Sequence, residues 1–210
     1  MPWLMARFYD PIMVGSEDAC LRDWRRELLG ELRGRVLEIG AGTGASLACY
    51  PDTVTELVLA EPDPHMRERL QARVAGLDAD RAERIVVTAD AVEAIDQADA
   101  SFDAVVSSLV LCSVASPAQA LREVSRVLRP GGQLVFIEHV GAHDHPRRLR
   151  WQRWAEPVWK RLAGNCHLTR DTEAAIRTAG FELEQIERDS LRKAMPLVRP
   201  SIRGRARKQA

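Results

Sequence analysis

Cysteine is scarce in this 210-residue sequence: Cys20, Cys49, Cys112 and Cys166 lie far apart, with no C-x-x-C pair and no histidine at ligand spacing. That pattern gives no zinc framework and no metal expectation, and it fits a reducing, cytoplasmic setting. Net charge is also missing, since 30 Lys and Arg balance 30 Asp and Glu. With no recognisable nucleic-acid module either, nucleic acid is not an expected partner. Long hydrophobic runs are absent. The longest uncharged stretch, Ala104 to Leu121, is broken by serines and Pro117 and reads as a buried strand and a loop, not a membrane span. The opening "MPWLMARFYDPIM" holds an Arg and an Asp where a signal peptide needs an apolar stretch. There is no repeat and no low-complexity linker.

A hydrophobic content of 46% is enough for one core. The charge that cancels overall is unevenly spread: residues 51–100 carry 12 acids against 5 bases, and residues 151–210 carry 7 against 13. The apolar runs "RVLEI", "ELVLAE", "RIVVTA", "FDAVVSSLVL" and "QLVFIEHV" scarcely alternate, as expected of strands buried on both faces of a parallel sheet. Helical patterns separate them at Ala45–Tyr50, Pro64–Ala75 and Pro117–Leu128, the last ended by "RPGG". An amphipathic helix is expected over Ala19–Leu32 and another over Thr169–Ala179, stopped by Gly180. "FELEQIER" and "PLVRPSIRG" read as a closing antiparallel pair. The fold class is therefore α/β: a doubly wound, Rossmann-like, mostly parallel sheet with a C-terminal antiparallel pair. A single domain is expected over residues 1–210. It divides into a helical cap over 1–34, a ligand-binding half over 35–140, roof helices over 141–180, and closing strands with a basic tail over 181–210.

"RVLEIGAGTG" carries the chemistry of the first half. A parallel sheet binds ligands at the carboxyl ends of its strands, and Gly40, Gly42 and Gly44 stand at the first such turn, where glycine admits positive φ and close backbone approach. A dinucleotide fingerprint would place glycine at position 45, which is Ala45; its alanine variant keeps a nicotinamide oxidoreductase in view. Glu38 opposes that reading, because a carboxylate below the turn repels a pyrophosphate and attracts an ammonium. Glu61 ends the second strand, placed to accept from both ribose hydroxyls. Asp90 follows the third, placed to accept from an adenine amino group. Three acids and one glycine turn suit a nucleoside with a cationic amino-acid tail.

"LEIGAGTG", "AEPD", "ADA", "FDAVVSSLVLCSV" and "EVSRVLRPGGQLVFIEHV", in that order, make the chain resemble the class I S-adenosylmethionine-dependent methyltransferases over roughly Val36 to Val140. The resemblance implies S-adenosyl-L-methionine as cofactor. Glu38, Gly40, Ala41 and Gly42 would hold its methionine end, with Thr43 and Gly44 closing the loop. Glu61 would take the ribose, Asp90 and Ala91 would flank the adenine, Met66 would pack on the ring, and the Ser108 backbone would contact the cofactor.

Further along, "EPVWKRLAGNCHLTRDT" and "LVRPSIRG" resemble the membrane-associated thiol methyltransferases of animals and their bacterial relatives, almost to the C-terminus. The sequence departs from those animal proteins at the front, where it carries no long hydrophobic anchor. A small, apolar acceptor, best a thiol, is implied; a quinone precursor or phospholipid headgroup is the alternative. A cofactor-binding domain without turnover is the reading from another class. His139, at the end of the fifth strand, is the candidate catalytic base at the acceptor rim, with Cys112, Cys166 and His167 as weaker candidates. In "PRRLRWQRWAEPVWKRLAG", Trp151, Trp154, Ala155, Val158, Trp159 and Leu162 fall at helical spacing among basic residues, with a kink or restart expected at Pro157. Such a segment suits a roof over an apolar acceptor or peripheral contact with an anionic membrane surface, here the inner face.

Overall fold

The computed structural model describes residues 3–209, and their side chains from residue 10 on. The first residues of the expected cap and the last residue of the expected tail lie outside that range. Seven strands form one sheet in the order β3-β2-β1-β4-β5-β7-β6: β1 (Gly34–Ile39), β2 (Val54–Ala60), β3 (Ile85–Thr88), β4 (Phe102–Ser108), β5 (Leu128–His139), β6 (Phe181–Ser190) and β7 (Pro200–Lys208). β1 to β5 pair in parallel, while β7 runs antiparallel to both β5 and β6. The doubly wound sheet and the closing antiparallel pair both stand as expected. Chain order reverses between β1 and β4, which makes that crevice the ligand-binding switch point of the fold.

Side chains of the central strands are buried on both faces. Leu37, Ile39, Val105 and Phe136 meet Leu121 and Val124 of α5 (Pro117–Val127) and Ile176 of α7 (Thr172–Thr178). Val36, Leu57, Leu59, Val106 and Ile137 meet Leu21, the Trp24, Leu28 and Leu29 side chains of α2 (Arg22–Leu29), and Leu70 of α3 (Pro64–Ala75). Caps fix where these helices begin. Asp63 accepts from the His65 and Met66 amides, Ser116 from Gln119, and Asp171 from Ala174, with Pro64 and Pro117 in the first turn.

Several boundaries differ from expectation. The cap helix starts much earlier, as α1 (Trp3–Ser16), and passes through one wide turn (Glu17–Leu21) into α2. Ala45–Tyr50 is not a helix but a single tight turn at Leu47–Cys49. Between Gly44 at φ 88° and Pro51 the chain has too few residues to nucleate one, and Ser46 and Tyr50 are drawn aside to Glu38. "RPGG" does not only stop α5; it forms the exposed leading end of β5. α7 begins at Thr172, where Asp171 caps it. A four-residue helix, α4 (Ala79–Ala82), precedes β3.

Pro157 does not restart the helix: α6 runs unbroken over Pro146–Leu162. The carbonyl that loses its partner belongs to exposed Arg153, open to solvent. Of the two roles expected for α6, its orientation fits the outward-facing one. Its inner face is polar: Gln152 accepts from the Ala142 amide and donates to the Leu197 carbonyl, each at 2.8 Å, and Glu156 accepts from the amide and hydroxyl of Thr169. Trp151, Trp154, Val158 and Leu162 face outward, Trp154 being 76% exposed. Among the described residues no helix is long and apolar enough to cross a membrane.

Candidate active site

The turn after β1 takes the conformation its glycines were expected to permit, with φ of 56°, 59° and 88° at Gly40, Gly42 and Gly44. Their surroundings differ. A Cβ on Gly40 would lie 2.6 Å from Val110, and one on Gly44 would lie 2.7 Å from Leu47 and 2.8 Å from Leu70; one on Gly42 would meet nothing within 4 Å. Gly40 and Gly44 are thus packing glycines, and Gly42 faces the open space a ligand backbone needs.

Glu61 is 7% exposed and binds two loops together, Oε2 accepting from the Gly42 amide at 2.7 Å and Oε1 from the Asp63 amide at 2.9 Å. Each oxygen keeps a lone pair for a further donor. Burial raises its pKa, and the two amides oppose that rise. Glu38 lies under the turn, 2% exposed, with Oε1 accepting from Ser46 Oγ at 2.6 Å and Oε2 from Tyr50 Oη at 2.8 Å. Burial raises its pKa as well, and Ser46, Tyr50 and the nearby Arg25 guanidinium pull it back. In this arrangement Glu38 organises the turn and supplies negative potential beneath it.

Thr43 Oγ1 donates to Asp10 Oδ1 at 2.6 Å, and Asp10 Oδ2 accepts from Arg69 at 3.0 Å and Arg73 at 2.6 Å. This clasp sets α1 against the glycine turn and α3. Arg25, buried and ion-paired with Glu17 of the wide turn, donates to Ser108 Oγ at 3.3 Å. Neither the clasp nor Arg25 was among the sequence candidates; their partners are too distant in sequence to form a motif. Asp90 is half-buried and accepts from Thr88 Oγ1 at 3.1 Å, and Ala91 beside it closes a bridge with Ala94. Met66 is buried on α3.

Across the switch point, buried Glu138 ties the loop after β4 to β5. It accepts from Ser107 Oγ at 2.6 Å, from the Val110 and Leu111 amides at 3.0 Å, and from the Cys112 amide at 3.2 Å. His139 is not on an open rim: it is 2% exposed, with Nδ1 3.7 Å from Cys166 Sγ. Cys166 Sγ lies 3.9 Å from Cys112 Sγ. Cys112 hydrogen bonding, with His139 beside it, holds the Cys166 thiol well below the usual range; the Cys112 thiol is pushed up by the same bond and by burial. His167 stands outside this cluster, half-buried, with Nδ1 3.7 Å from Glu156. A cleft of about 530 Å³ opens elsewhere, beyond the end of β5, among His143, Arg148, Arg177 and Ser201.

A sheet of this order, with an open glycine turn between two buried carboxylates at its switch point, defines a class I S-adenosylmethionine-dependent methyltransferase. A family model described as a methyltransferase domain matches residues 37–136. Human thiol S-methyltransferase TMT1B is 37% identical over 213 residues, covering 98% of this chain and 84% of that protein. The demethylmenaquinone methyltransferase of Renibacterium salmoninarum is also 37% identical, but over 56% of this chain and 48% of that protein. A methyltransferase structure from Bacillus halodurans superposes with a TM-score of 0.71 at 18% identity, over 91% of this chain and all of that one. The chain belongs to the class I methyltransferases. It is a methyltransferase enzyme, and its cofactor is S-adenosylmethionine.

Proposed function

We propose that the protein methylates a small, apolar thiol. The observation that carries this reading is where the likenesses end. The quinone enzyme matches about half the chain, whereas the thiol enzyme matches nearly all of it, including the segments after β5 that surround the acceptor side of the sheet.

The chain's residues fit the cofactor. The space above Gly42 would admit the cofactor close to the main chain, the free lone pairs of Glu61 would receive the ribose hydroxyls, and Asp90 and Ala91 would flank the adenine with Met66 packed behind. Gly40, Ala41, Thr43 and Gly44 shape the turn, the Ser108 backbone borders it, and Glu38 attracts the ammonium end from below. Bound there, S-adenosylmethionine supplies an electrophilic methyl group on a sulfonium sulfur. In-line displacement draws most of its acceleration from positioning, so the pinned loop after β4 has the main work of orienting the acceptor. A thiol near pKa 8.5 reacts as its thiolate, and its own ionisation meets the need for a base.

The same reading includes peripheral contact with an anionic membrane surface. Its support is α6, which turns Trp151, Trp154, Val158 and Leu162 outward among Arg147, Arg150, Arg153 and Arg161 while hydrogen-bonding inward. An apolar thiol would then be met where it partitions. Methyl transfer across a series of alkyl and aryl thiols tests the chemistry. The pH at which the rate rises should follow each acceptor's pKa; one fixed profile for every thiol would rule out acceptor ionisation as the controlling step.

A further inference from the structure

Cys112, His139 and Cys166 come from three separate segments, yet their donor atoms all lie within 4.8 Å of one another. For metal–sulfur bonds of about 2.3 Å and metal–nitrogen bonds of about 2.0–2.1 Å, a tetrahedral site has S···S and S···N edges of about 3.8 and 3.6 Å. The corresponding separations here are 3.9 Å between the sulfurs and 3.7 Å from Cys166 Sγ to His139 Nδ1. A disulfide would have to draw the sulfurs to about 2.05 Å and would leave the imidazole without a part.

The surroundings are built to hold these donors still. The His167 amide donates to the Cys112 carbonyl at 2.8 Å, Asn165 Nδ2 donates to the Ser113 carbonyl at 2.8 Å, and Glu138 holds the Cys112 amide. Three buried polar atoms next to the cluster lack a hydrogen-bond partner: Trp159 Nε1 beside Cys166, His139 Nε2 and Ser201 Oγ, the last two on residues that face each other in register across β5 and β7. Ligation through Nδ1 would leave the remaining imidazole proton on Nε2; Ser201, its register partner on β7, is not hydrogen-bonded to it here and would have to turn toward it to make the outer bond that metal-bound histidines characteristically make. Charge also closes. Two thiolates and a dication sum to zero, so the three-ligand cluster itself would carry no net charge beside the Glu138 carboxylate and the Arg170 guanidinium.

We propose that Cys112, Cys166 and His139 form a binding site for a thiophilic divalent cation of the zinc class, with three protein ligands and a fourth position open among the described residues. No redox step is involved: both sulfurs bind as thiolates, and whatever thiol proton is still present, chiefly that of Cys112, passes to solvent. The site stands independently of the acceptor assigned above.

Reduced full-length protein titrated with Zn²⁺ against a chromophoric chelator, and with Co²⁺ by absorption, tests the proposal. One equivalent per chain is expected, with thiolate-to-cobalt charge-transfer bands and the intense ligand-field bands of a four-coordinate ion. Cys112→Ser and Cys166→Ser should lose the charge-transfer signal, Ser201→Ala should weaken affinity about tenfold, and binding of S-adenosylhomocysteine should persist in each. Should a cysteine variant fail to fold, protection of Cys166 from alkylation by one equivalent of Zn²⁺ in the wild-type protein gives the same reading. No stoichiometric uptake by reduced protein would overturn the proposal, as would uptake unchanged in the folded cysteine variants. Formation of a Cys112–Cys166 disulfide in protein that takes up no cation would assign the pair to redox chemistry instead.

Discussion

The turn after β1 and the loop after β4 flank the same switch point but are assembled in different ways. The first is nearly continuous in sequence: Glu38, Gly40, Gly42 and Gly44 fall within seven residues, and Glu61 joins them through one amide. The second gathers Cys112, Glu138, His139 and Cys166 from segments up to 54 residues apart. Backbone geometry governs the first, because a cofactor must approach the main chain closely. Side-chain convergence governs the second, where buried groups from separate segments meet.

The largest expected effect comes from joining the two regions by force. Gly40→Val adds a side chain whose Cβ would stand 2.6 Å from Val110, at a φ of 56° that costs a non-glycine residue roughly 1–2 kcal/mol before any clash. It should abolish cofactor binding and sharply lower the melting temperature. Gly42→Ala carries a comparable backbone cost but meets no protein atom, so it should fold and still bind cofactor poorly. Thermal melting with and without S-adenosylhomocysteine separates the two. Equal melting temperatures for both variants would deny the contrast between packing glycines and the ligand-facing one.

Next in size is Glu61→Ala. Hydrogen bonds to a charged group contribute roughly 1.5–3 kcal/mol each, so losing those to the ribose should weaken cofactor affinity at least about tenfold. Calorimetry with S-adenosylhomocysteine measures it, and unchanged affinity in a folded variant would remove Glu61 from the site. Smaller again is the outward face of α6. Trp151→Ala with Trp154→Ala should reduce co-sedimentation with anionic vesicles several-fold at low salt. High salt should reduce it too, since each basic residue near such a surface contributes about 1 kcal/mol and is screened within a Debye length. Salt-insensitive binding, or none, would leave α6 without a membrane role.

The smallest effect is one of pH. Burial raises the folded-state pKa of Glu38, so the folded chain holds that proton more tightly than the unfolded chain. Its contribution to stability is present below the unfolded carboxylate pKa and is lost as pH rises through the raised folded value. A bound ammonium favours the ionised form, so stabilisation by cofactor should grow over the same window. Melting temperature against pH, with and without cofactor, reads this; Glu38→Gln should flatten the difference.

The same contrast explains what was legible in the sequence. The strands themselves, the glycine turn and the acids at the strand ends could be read because each depends on neighbours within one strand and its turn. The helix expected at Ala45–Tyr50 failed because Glu38 takes Ser46 and Tyr50 as partners, a contact that helical periodicity does not report. The face of α6 stayed open between two roles because periodicity locates an apolar stripe without saying whether the core or the solvent receives it. Residue spacing suggested no metal site, since Cys112, His139 and Cys166 come together only when β5, the loop after β4 and the loop before α7 are folded against one another. The Asp10–Thr43 clasp was hidden for the same reason.

The central claim, a thiol acceptor on a class I methyltransferase, is tested most directly by one competition assay. Protein and S-[methyl-³H]-adenosylmethionine are offered an alkyl thiol, a demethylated quinone and phosphatidylethanolamine together, and the labelled products are separated. The label should pass to the thiol as a methyl thioether, with little in the other two. Label in the quinone or the phospholipid, with the thiol unmodified, would contradict the acceptor assignment.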